Sequence, residues 1–217
     1  MHGPLVLVGG WSWDGVALRD MLHGQGDPRA TVVPTAAMYE GANAAVDKVA
    51  VLLGADTYDV APIAGRVQAM DGAQAASLAR ARVVVMPGES SIHLRSVMKD
   101  SQSWAAVDRA WVNGAVLVGI GGAASALVDP MLDDRGGAFS LGLGLVTGLA
   151  VVPHADLWGE DRMKRTARLV SRNVALVRVP DDAALIWRPH DGWTAYGDVR
   201  VTLDGCDVAV TALPSPA

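Results

Sequence analysis

Cysteine is nearly absent from this 217-residue chain: one residue, Cys206, excludes an intramolecular disulfide and a cysteine-based zinc site. An excess of basic charge is absent too. The net charge of -5 argues against non-specific nucleic-acid binding and offers no attraction to an anionic membrane surface. The longest glycine-rich apolar stretch, AFSLGLGLVTGLAVVP, reaches its proline after about 15 residues, short for a membrane span. It reads as buried turns and short strands. The opening, MHGPLVLVGG, has no basic segment before its apolar run, so we read no signal peptide there and expect a cytoplasmic protein. What is abundant is apolar: 51% hydrophobic against 19% charged residues, the balance of a globular chain with a wide buried sheet. The length suits one large domain, read as residues 1–217, able to bury roughly 70% of its unfolded surface.

Through the first 130 residues, short apolar runs alternate with Ala-rich helical patterns. Strands are expected at Leu5–Val8, Thr31–Val33, Tyr58–Pro62, Val83–Met86 and Val116–Ile120, each apolar enough to be covered on both faces. The clearest helix places Ala42, Ala45, Val46, Val49, Leu52 and Leu53 on one face and stops at Gly54. Asp14–Leu22, Ala73–Ala79, Ser90–Met98 and Ser103–Val112 are the other helices of this part. Such alternation predicts an α/β fold with a doubly wound, mostly parallel sheet. Beyond Leu127 the pattern changes to a glycine-rich stretch at Gly136–Gly148 and a polar helix at about Glu160–Ser171. Strand-like pieces follow at Ala175–Val179, Ala184–Trp187, Val199–Thr202 and Asp207–Thr211, read as mixed or antiparallel edge strands.

Ligands of open α/β sheets bind at the carboxyl ends of the strands. Three such ends carry unusual residues: GGWSW (Gly9–Trp13), MPGESSIH (Met86–His93) and GIGGAAS (Gly119–Ser125). Ordinary strand-to-helix turns also need glycine, so each alone says little. Three in one sheet point to a crevice.

The order of these segments resembles the peptidase S51 family, the cyanophycinases and the Asp-specific dipeptidase E group. Segments that carry the resemblance include GPLVLVGG, ATVVPTAA, LLGADTYDVAPIAGR, ARVVVMPGESSIHL, NGAVLVGIGGAASAL, VVPHADLWGEDRMKRTARLV and LVRVPDDAALIW. The resemblance implies a class I glutamine-amidotransferase-like, flavodoxin-like fold of three layers, with helices on both faces of the sheet and extra antiparallel strands in the C-terminal third. It also implies serine-type peptidase chemistry on acidic or β-aspartyl peptides, without a cofactor or metal. The family's nucleophilic Ser falls on Gly121, which has no side chain to attack a carbonyl. The family's His falls on His154, although Val152 stands where an Asp is usual. The acid that orients the His falls on Asp181, or on Asp182 by a one-residue slip. Backbone N–H groups of Gly88 and Gly122 would form the oxyanion hole. The substrate-contacting Gln falls on Ser90, and Arg162 and Arg165 match arginines that bind acidic substrate groups.

Loss of a nucleophile costs on the order of a million-fold in turnover. The expected function is therefore that of a catalytically degenerate relative with a peptide- or small-ligand-binding crevice. The alternatives are an active hydrolase with its nucleophile relocated to Ser125 or Ser90, or with a water activated by His154, and a non-catalytic interaction scaffold that could pair with a second copy of itself. Ser125 lies roughly 6 Å beyond Gly121 along a helix and reads as a packing residue. Cys206 reads as a buried structural thiol, His190 as part of a surface loop between packed tryptophans, His93 as a candidate to face the crevice, and Arg168 as a continuation of the arginine stripe.

Overall fold

Successive side chains of a strand point to opposite faces, and that alternation gives this sheet two apolar cores. The computed structural model describes residues 2–26, 28–54, 58–133, 135 and 137–216. Ala55–Thr57, within one stretch of the family resemblance, and Gly136, which opens the glycine-rich stretch, lie outside them.

The first half alternates as its patterning demands. β1 (Leu5–Val8), α1 (Val16–His23), β2 (Ala30–Val32), α2 (Ala42–Leu53) and β3 (Tyr58–Val60) come first. Two short helices follow, α3 (Arg66–Ala69) and α4 (Gly72–Leu78). Then come β4 (Val83–Pro87), α5 (Ser91–Met98), α6 (Gln102–Val112), β5 (Val116–Ile120) and α7 (Gly122–Leu127). Five parallel strands lie in the order β1-β5-β4-β2-β3. Val6, Val8, Val83, Val85, Val116 and Val118 face α1 and α2, meeting Leu18, Val46, Val49 and Leu53. Leu5, Leu7, Val84, Met86 and Leu117 face the other way, meeting Leu94 of α5, Trp104 and Trp111 of α6, and Leu127 of α7. This is the three-layer α/β arrangement expected, with helices on both faces.

The last third divides. A small ladder joins β6 (Met131–Asp133) to β7 (Ala138–Ser140). Next come β8 (Leu149–Val152), α8 (Glu160–Leu169) and β9 (Ala175–Arg178). β10 (Ala184–Arg188), β11 (Gly192–Tyr196), β12 (Arg200–Leu203) and β13 (Cys206–Val208) close the chain. β10 and β11 extend the main sheet antiparallel beyond β1. The others do not edge that sheet as expected. They form a second sheet in the order β13-β12-β9-β8, in which β8 and β9 run parallel. One further expectation, for Cys206, is corrected, and one, for His190, is met. Cys206 is exposed on β13, because that short strand ends the second sheet with no layer over it. His190 is exposed in a β-hairpin turn whose flanking Trp187 and Trp193 pair across the strands and are buried.

Candidate active site

β1, β5 and β4 are adjacent and parallel, so the loops at their carboxyl ends converge. The bend after β5 is a sharp elbow. Gly121 sits at φ 65°, ψ -135° and α7 begins at the next residue, a backbone state that L side chains rarely adopt. The second sheet brings two more loops to the same place. β8 and β9 are parallel neighbours with Val152 opposite Arg178, so the residues just after each strand emerge at one edge. His154 follows β8 and Asp181 follows β9.

Backbone contacts lock this pair to the first loop. The His154 N–H donates to Gly9 O at 3.1 Å. The Asp181 carboxylate accepts from the N–H groups of Trp11 and Ser12 at 3.3 and 3.1 Å. Its own N–H donates to Asp156 Oδ1 at 2.7 Å. Gly10 must be glycine for this approach, since a Cβ there would overlap the Asp181 carboxylate. His154 Nδ1 donates to Asp181 Oδ1 at 2.7 Å. Asp182 is exposed, and the carboxylate hydrogen-bonded to His154 is that of Asp181.

The other ring nitrogen meets a residue that the sequence reading did not single out. His154 Nε2 donates to Glu89 Oε2 at 2.9 Å, and the Gly122 N–H donates to the same oxygen at 3.1 Å. A Cβ built on Gly121 would stand 2.5 Å from that oxygen and overlap its partner oxygen. The Glu89 carboxylate therefore fills the space that a side chain at Gly121 would claim. A clue was present: a residue emptied on one loop and a long acid next to Gly88 on the adjacent one.

These contacts set the charges. The hydrogen bond to Glu89 is the largest influence on His154 and raises its pKa. Burial opposes it, and the Glu89 charge and the Asp181 contact add to it, for a value of about 9 against an ordinary 6.5. His154 is thus an imidazolium at neutral pH, with both N–H groups donated. Burial alone would push the Asp181 carboxyl up, but the hydrogen bonds from Ser12 and His154, with the imidazolium charge, hold it below its ordinary value.

Glu89, Gly122 and His154 line a cleft of about 530 Å³, with Trp11, Pro153, Leu157 and Trp158 as apolar walls. Glu40, Lys48 and Arg162 complete its lining. Lys48 Nζ lies 5.1 Å from the Trp11 ring centre, and the Arg162 guanidinium 3.5 Å from that of Trp158. Glu40 Oε2 accepts the Glu89 N–H at 3.1 Å.

Other sequence-derived candidates sit elsewhere. The Gly88 N–H donates to Ile120 O at 3.3 Å, because the β4–β5 ladder continues to the end of both strands, so it is not a free oxyanion donor. Ser90 is drawn aside by its N–H bond to Ala36 O and lines a neighbouring pocket with His93, not the cleft. His93 Nε2 lies 3.0 Å from Ala64 O. Arg165, about 4.5 Å beyond Arg162 along the axis of α8, is exposed and does not line the cleft; Arg168 is exposed as well. Ser125 is 1% exposed and its Oγ accepts the Leu132 N–H at 2.9 Å, which removes it as a relocated nucleophile. Among the described residues, no cluster of His, Cys, Asp and Glu is suited to hold a metal ion, and no helix is long and apolar enough to cross a membrane.

An elbow after a central parallel strand, faced by a His–Asp pair, is the framework of a serine-type hydrolase. The chain belongs to peptidase family S51, whose family model matches residues 15–192. Two solved structures share its fold. A peptidase from an acI-B1 Actinobacterium superposes with a TM-score of 0.77 at 20% identity, covering 100% of this chain and 98% of the other. A putative peptidase E protein from Listeria monocytogenes EGD-e gives a TM-score of 0.70 at 15% identity, covering 90% of this chain and 98% of the other. No curated protein sequence matches the chain.

Proposed function

We propose that this member of peptidase family S51 does not cleave peptide bonds by a serine mechanism and instead binds a peptide or small ligand in its cleft. One observation carries the reading: the Glu89 carboxylate sits where the nucleophile's side chain would be, joined to both the Gly122 N–H and His154. A serine mechanism needs a hydroxyl there and a neutral imidazole beside it. This site has a carboxylate and an imidazolium. The same protonation argues against His154 as a base for hydrolytic water.

The cleft suits binding. Its volume falls in the range of ordinary ligand sites, and two Trp rings carry cations at its walls. A second pocket of about 470 Å³ shares Trp11 and Lys48 with it and adds Trp13 and Leu52, so the groove continues past the central cleft. The test uses Asp-x and β-Asp-Arg dipeptides and a fluorophosphonate probe. The expected result is no hydrolysis above background and no labelled serine. Hydrolysis at the rate of active family members, or labelling of any cleft serine, overturns the reading.

A further inference from the structure

The carboxylate that blocks one reaction has the surroundings of a reagent for another. We infer that Glu89 is a nucleophile toward saturated carbon, and that the cleft converts alkyl halides to alcohols through an ester formed on Glu89. This rests on the reading above that Glu89 occupies the vacated nucleophile position.

Its two oxygens are held unequally. Oε2 accepts from both Gly122 N–H and His154 Nε2, whereas Oε1 accepts no hydrogen bond among the described residues. That division matches an ester in which Oε1 makes the new bond and Oε2 becomes a carbonyl oxygen already polarised by a backbone donor. An amide is a poor partner for such a nucleophile, because the tetrahedral adduct would expel the carboxylate again faster than it would lose an amine. A saturated carbon with a stable anionic leaving group is a good one. The leaving group is also constrained. An epoxide oxygen needs a proton as it departs, and both N–H groups of His154 are already given to carboxylates. A halide needs none. Lys48 brings positive charge to the cleft for it, and Trp11, Pro153, Leu157 and Trp158 offer walls for an alkyl chain.

The steps balance. Oε1 attacks the carbon opposite the halogen; the C–O bond forms as the C–halogen bond breaks, and the electron pair leaves with the halide. Glu89 is then a neutral ester. The main influence keeping His154 protonated is gone, so the ring releases a proton to solvent while Asp181 still orients it through Nδ1. Neutral Nε2 takes a proton from water as the water oxygen attacks Cδ of Glu89, and negative charge develops on Oε2 against the Gly122 N–H. Collapse expels the alcohol oxygen, which takes the proton from His154. The new carboxyl group returns a proton to His154 and restores the starting pair. The sum is alkyl halide plus water to alcohol, halide and a proton, with no oxidant or reductant.

The experiment incubates excess protein with bromobutane, and in parallel with epoxybutane, in water enriched in heavy oxygen. The expected result is bromide release, butanol with ordinary oxygen in the first turnover, and heavy oxygen in Glu89 by peptide mass analysis. His154→Gln should accumulate a butyl adduct on Glu89. Glu89→Gln, shown to be folded by circular dichroism, should lose bromide release by on the order of a thousand-fold or more. No bromide release above the buffer rate overturns the proposal, as does heavy oxygen in the butanol with unlabelled Glu89. Turnover of the epoxide alone overturns the assigned leaving group. Each of these failures leaves intact the reading that the site lacks serine-peptidase chemistry, because that reading is tested by the absence of dipeptide hydrolysis and of serine labelling.

Discussion

A histidine acts as a general base only while one ring nitrogen keeps a free lone pair. At His154 both nitrogens face carboxylates, Asp181 at 2.7 Å and Glu89 at 2.9 Å. The first contact is the usual orienting bond of a hydrolase His. The second removes the lone pair that would serve a nucleophile. Glu89→Gln separates these effects, since an amide keeps the shape and loses the charge. The His154 pKa should then fall from about 9 toward its ordinary 6.5, because the largest raising influence comes from Glu89. Asp181 remains, so the value should stay above that of His154 in an Asp181→Asn/Glu89→Gln double variant. Titration of the His154 ring protons by NMR reads this directly. An unchanged pKa in Glu89→Gln would place the cause elsewhere.

The elbow between β5 and α7 shows what a local element keeps after its chemistry has changed. Gly121 holds the bend, and the Gly122 N–H still points into the site. Gly121→Ser alone should therefore clash with the Glu89 carboxylate and lower stability by about 2 kcal/mol in urea unfolding. Glu89→Asn shortens that side chain and empties the space. In the double variant the two effects should be non-additive by about 1 kcal/mol or more in favour of the pair; simple additivity would mean that the two positions do not share one volume. This coupling also explains what was legible in the sequence. β1 and β5 were readable to the residue because continuous apolar runs between glycines leave little choice. α2 was readable because Gly54 stops a regular apolar face. His154, and Asp181 or Asp182 as its acid, could be pointed to only through the family resemblance. The second sheet was not separable, since strands of three or four residues carry no signal of which ladder they join. Glu89 was not recognised because its meaning depends on an absent side chain across the sheet: its contact with Gly122 spans 33 positions.

For the molecule as a whole, the site is also a clasp. Asp181 and His154 follow strands of the second sheet, and their partners Gly9, Trp11, Ser12 and Glu89 belong to loops of the main sheet. Charge at the site should therefore appear in global stability, with a sign fixed by each shift. The folded His154 pKa is raised, so folding binds a proton more tightly than the unfolded chain does. Its contribution is complete below 6.5 and is lost as pH rises from there through about 9. The folded Asp181 pKa is lowered, so its contribution is present above its ordinary 3.8 and is lost as pH falls through the lower folded value. The clasp should hold best between these limits, on the acid side of neutrality. Urea midpoints measured from pH 5 to pH 9.5, about half a unit past the folded His154 value, should fall steadily above neutral pH in the natural protein. In Glu89→Gln that alkaline decline should shrink, because the proton is no longer held in the folded state. A decline of equal depth in both proteins would assign the pH dependence to groups outside the cleft and separate the clasp from the stability of the fold.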